Sequence, residues 1–93
     1  MGGVSELLVE RGKRYGTFAD HALITQRLKM ACQDHKNGDP WQKMSNSQRE
    51  AIDMILHKVG RIMNGDPNYA DSWVDICGYA QLVVDELPKE SND

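Results

Sequence analysis

Apolar positions recur every three or four places along this chain and never alternate over a useful length, so the pattern predicts helices and no strands. The clearest run is 48–63, where Ala51, Ile52, Ile55, Leu56, Val59, Ile62 and Met63 fall within about 140° of a helical wheel. Ser47-Gln-Arg-Glu50 reads as the capping box that opens it. Asn64-Gly65 reads as its stop, with a residue in the left-handed conformation. A second stripe, Trp73, Ile76, Cys77, Ala80, Val83, Val84 and Leu87, predicts a helix over about 69–87 that ends before Pro88. It starts either at Asp66-Pro67, as cap and first residue, or at Asp71. A third helix, about 18–32, follows Thr17 as N-cap with Asp20 three residues later. Leu7 and Leu8 anchor a short helix over Ser5–Arg11, after which Gly12 and Gly16 loosen the chain.

The segment 34–47 holds the turn Asn37-Gly38-Asp39-Pro40, with Trp41 and Met44 to pin it on the core. The expected fold is all-α, three main helices plus a short N-terminal one, in a single domain over 1–93 with flexible ends at 1–4 and 89–93. Met54, Val74 and Leu82 lie off the core stripes, and Gly78 allows close approach. A lone small domain would leave them wet, so the bundle is expected to be completed by homo-oligomerisation.

Composition narrows the partners. Ninety-three residues support one modest core, 27% are charged and the net charge is −3. The nearest thing to a basic cluster, Arg11, Lys13 and Arg14, is too small for double-stranded nucleic acid to be the expected partner. No stretch approaches a membrane span, and the first residues lack the apolar run of a signal peptide, so a cytoplasmic protein is expected. Cys32 and Cys77 match no metal spacing; Cys77, on the apolar stripe, is expected to be reduced and buried.

Candidate chemistry rests on carboxylates. Glu50, Asp53, His57 and Arg61 form one stripe of the second main helix, and Asp71 and Asp75 lie one turn apart on the third. Mg²⁺ takes oxygen ligands and keeps several waters, so Glu50, Asp53, Asp71 and Asp75 could hold it against a phosphate. Lys58 and Arg61 could neutralise the phosphate, and Tyr69 and Tyr79 could stack a base. The same wheel lies open to a plainer reading, in which these charges are a solvated face opposite the core stripe. Asp71 and Asp75 likewise point away from Trp73 and Ala80. His21 and His35 have no carboxylate or thiol partner at useful spacing.

Over about Arg11 to Val84 the chain resembles a group of small phage and prophage proteins. The resemblance is carried by Arg11-Gly12-x-x-Tyr15-Gly16 and by Asp71-Ser72-Trp73-x-Asp75-Ile76-x-Gly78-Tyr79-Ala80, with Cys77 and Gly60 standing where alanine is usual. More remotely it is similar to phage nucleotide-modification-associated domains and to MazG-like all-α pyrophosphohydrolases. The latter bind Mg²⁺ through a Glu-Glu-x-x-Glu helix and a Glu-x-x-Asp helix. Only Glu50-x-x-Asp53 and Asp71-x-x-x-Asp75 correspond here. The resemblance implies a nucleotide or nucleotide-derived small molecule as partner, held without efficient turnover, in a nucleotide-pool or anti-defence role in a host cytoplasm. Its alternatives are Mg-dependent pyrophosphohydrolysis and a module that inhibits a host protein.

Overall fold

The computed structural model describes residues 3–34 and 40–89, and every described element is a helix: α1 (Gly3–Tyr15), α2 (Phe18–Gln33), α3 (Pro40–Lys43), α4 (Asn46–Asn64) and α5 (Ala70–Glu86). The all-α reading holds. No described helix is long and apolar enough to cross a membrane. The expected turn at 37–40 and His35 lie outside the described residues, apart from Pro40.

Local signals set most boundaries. The Thr17 hydroxyl accepts from the Asp20 amide and starts α2, as its sequence suggests. The box that opens α4 lies two residues earlier than expected. Ser45 accepts from the Gln48 amide at 3.1 Å, and the Gln48 side chain accepts from the Ser45 amide at 2.8 Å. Arg49 then donates to the carbonyls of Trp41 and Gln42, fastening α3 to this end. Helix α1 is longer than expected and passes through Gly12 without a break.

Two glycine expectations change places. Gly65 after α4 is not left-handed, having φ −144°. Gly16 between α1 and α2 is, at φ 74°. A side chain at Gly16 would also collide with Asn64, and one at Gly65 with the backbone of Arg14 and Tyr15. Neither Asp66 nor Asp71 caps α5. Asp66 instead builds a turn, accepting from the Asn68 amide on its carboxylate and from the Tyr69 amide on its carbonyl. Trp73 Nε1 donates to the Pro67 carbonyl across that turn.

Helix α4 is the centre, packed by α2 on one side and α5 on another. Gly60 makes the α2 seam possible. A Cβ there would stand 2.5 Å from Thr25 Oγ1 and 2.6 Å from His21 Cδ2. On the α5 seam Lys58 and Asp75 form an ion pair at 2.8 Å, and Ser72 of α5 and Ala51 of α4 are buried.

Both packings overturn the wheel. Helix α2 covers the side of α4 carrying Gly60 and His57, so of the expected polar stripe Glu50, Asp53, His57 and Arg61 only Glu50 is fully exposed. Helix α5 faces α4 with Ser72, Asp75, Ile76, Tyr79 and Val83, while Trp73, Cys77, Ala80, Val84 and Leu87 are exposed. The expectation of a buried Cys77 therefore fails, and Asp75 points into the seam instead of away from it. Ser72, 4% exposed, is the α5 residue buried deepest, and the polar pair Lys58–Asp75 shares the seam with it.

Candidate functional site

The turn between α1 and α2 and the turn between α4 and α5 are tied together. The Asn64 side-chain amide donates to the carbonyls of Tyr15 at 2.8 Å and Thr17 at 2.9 Å, and the Asp66 amide donates to the Arg14 carbonyl at 2.6 Å. This tie brings two arginines and two tyrosines into one row. Arg14 lies 4.6 Å from the centre of the Tyr69 ring and donates to its hydroxyl at 2.8 Å. Tyr69 meets Tyr15 edge to face, centroids 6.1 Å apart. Arg61 lies over the other tyrosine, 4.3 Å from the centre of Tyr15.

The row opens on a cleft of about 440 Å³ between α1, α2 and α4, whose walls include Tyr15, Thr17, Phe18, His21, His57 and Arg61. His21 is buried, and since a carbonyl only accepts, its Nε2–H donates to the His57 carbonyl at 3.0 Å. The two imidazoles meet edge to face at 4.6 Å. Burial, first, and then the positive charges of Arg61, His21, Lys58 and Lys29 lower the His57 pKa from 6.5 to about 4. His57 is therefore neutral at pH 7, and Arg61 is the cation on the cleft wall. Arg14 is paired with Glu10 at 3.1 Å. Among the described residues no carboxylate lies within ion-pair range of Arg61.

The residues expected to bind a ligand divide into three places. Arg61 lines the cleft and Tyr69 joins it through Tyr15. Lys58 is turned into the α5 seam, where its charge is matched by Asp75. Tyr79 lines a separate groove of about 350 Å³ with Glu50, Ser47 and Glu86, and Asp71 stands exposed in the first turn of α5. Asp53 has one carboxylate oxygen buried without a partner. Glu50, Asp53, Asp71 and Asp75 do not gather: among the described residues no three Asp, Glu, His or Cys side chains form a group able to hold a metal ion.

Arg14, Thr17, Phe18 and His21 are not among the expected site residues, whereas His57 belongs to the expected stripe of α4. Tyr15 is signalled by Arg11-Gly12-x-x-Tyr15-Gly16, whose last two residues build the cleft wall and its left-handed turn.

Fold and cleft thus define a small all-α protein with an arginine–tyrosine–histidine site at one end of its central helix. The chain matches the model of a domain of unknown function, DUF6378, over residues 4–86, and it belongs to that family. No curated protein matches it, and no solved structure does.

Proposed function

We propose that this protein binds a nucleotide, or a small molecule derived from one, in the cleft between α1, α2 and α4, and holds it without efficient turnover. The observation that carries this reading is Arg61, stacked on Tyr15 and facing the cleft, with no carboxylate among the described residues in ion-pair range. A guanidinium so placed suits a phosphate, and Phe18 and the edges of two imidazoles suit a base or sugar. The dispersal of Glu50, Asp53, Asp71 and Asp75 favours holding over MazG-like hydrolysis within one subunit, since in-line attack needs carboxylates converging on Mg²⁺. The resemblance to phage proteins adds the setting, in which a captured nucleotide serves the pool or blunts a host defence signal.

The test is thermal denaturation against nucleoside mono- and triphosphates and cyclic dinucleotides, each with and without Mg²⁺. A ligand at a hundred times its Kd adds about 2.7 kcal/mol to the native state, an easily read shift. Arg61→Gln should abolish that shift. If no nucleotide raises the melting temperature, binding is refuted. If multiple-turnover pyrophosphate release accompanies it and Glu50→Gln stops that release, the protein is a hydrolase.

A further inference from the structure

Tyr69 breaks a local rule. It holds the N-cap position of α5, where Ser, Thr, Asp or Asn would accept from the first amides, and its side chain makes no capping bond. Instead it meets α1. Its hydroxyl accepts from Arg14 at 2.8 Å, and its ring centre lies 4.6 Å from that guanidinium. Arg14 is itself held by Glu10, one helical turn earlier. A residue that forgoes the stability of a cap is placed for something else. Fastening the two turns does not require it, because the Asn64 side chain and the Asp66 amide already do so with three hydrogen bonds.

Beyond Arg14, Tyr69 touches Tyr15, edge to face with the ring planes at 72°. Arg61 lies over the Tyr15 ring. A row of contacts therefore runs from Glu10 through Arg14, Tyr69 and Tyr15 to Arg61 on the cleft wall. Arginine loses rotamer freedom when it grips an anion, and a ring beneath it removes part of that freedom beforehand. A ring also restrains the guanidinium through its face and leaves the in-plane N–H donors free, which a carboxylate would occupy. Tyr69 and Arg14 stand outside the cleft wall, so they act on a ligand only through Tyr15 and Arg61.

We propose that Tyr69 is a positioning residue for Arg61: braced by Arg14, it steadies the Tyr15 ring on which the guanidinium is laid toward the cleft. This rests on the cleft as the binding site, and it gives Tyr69 a part there other than stacking a base.

The first measurement needs no ligand. In the NMR spectrum of the full chain, the Arg61 Nε–H proton should be shifted upfield by the Tyr15 ring. Tyr69→Leu should remove most of that shift, while the imidazole signals of His21 and His57 on the same cleft stay in place. Tyr69→Phe keeps the ring edge and should retain the shift. If Tyr69→Leu does not fold, Arg14→Gln, at an exposed position, decides instead and should reduce the shift. The second measurement is calorimetry with a nucleoside 5′-monophosphate, which Tyr69→Leu should weaken about tenfold and Tyr69→Phe should leave within about twofold of wild type. An Arg61 resonance that ignores Tyr69→Leu, histidine signals that move with it, or unchanged affinity for the monophosphate overturns the proposal. If no nucleotide binds even the wild type, the binding reading fails, and the Arg61 resonance alone decides whether Tyr69 sets the guanidinium.

Discussion

Against α2, helix α4 offers Gly60, and the room its side chain would occupy is taken by His21 and Thr25; against α5 it offers Lys58, whose ammonium is matched by Asp75. One seam is set by absence of volume and the other by balance of charge. The difference matters because the two fail differently. A seam without spare volume is broken by adding an atom, whereas a charge-matched seam is broken by removing one.

The largest effect should come from the charged seam. Asp75→Asn leaves the Lys58 ammonium buried with no counter-charge. Loss of one partner from a fully buried pair costs about 3–5 kcal/mol, and because the Asp75 side chain is 35% exposed the expected cost here is about 2–3 kcal/mol. Urea denaturation reads it, and Lys58→Met combined with Asp75→Leu should regain most of the loss. If the single variant costs nothing, the pair is ornamental and the comparison collapses.

Next comes the volume-limited seam. In a free helix Gly60→Ala would stabilise by about 1 kcal/mol. Here the added methyl meets a buried imidazole held by its bond to the His57 carbonyl. Overpacking of about 1–3 kcal/mol should therefore win, for a net loss of about 1 kcal/mol in the same assay. A gain would show that His21 moves freely.

A smaller effect separates the two serines at the start of α4. Ser45→Ala should cost about 1 kcal/mol and Ser47→Ala less than about 0.5 kcal/mol. The reverse order would move the helix start back to where its sequence suggests.

The last effect is a pH dependence of the α2 seam. Folding lowers the His57 pKa from 6.5 to about 4, so between those values the unfolded chain binds the extra proton. His57 thus contributes stability that is complete above pH 6.5 and is lost as pH falls toward 4. Its sign is the loss of that contribution on acidification, read as the difference between wild type and His57→Gln, since carboxylates titrate in the same range. A constant difference across the window would dismiss the effect.

The helices were legible because each carries its own period and punctuation: Thr17 as cap, the stripe of 51–63, the stop before Pro88. Which side of a helix meets which neighbour was not. A wheel ranks α5 by hydrophobicity and selects Trp73 and Cys77, yet the residue that α5 buries most deeply is the small Ser72. The site divided along the same line. Arg61 and Tyr69 could be suspected one by one, but Tyr15 and His21 become their neighbours through a turn far away in the chain, which no local spacing encodes.

The bond from Asn64 to the Tyr15 carbonyl spans 49 positions. Bringing such distant segments together costs chain entropy that only the packing of α2 and α5 on α4 can offset. The cleft therefore needs both turns in place, and no excised helical hairpin should retain it. Anything that occupies it, whatever its chemistry, holds both turns at once and so reports on the integrity of the whole domain.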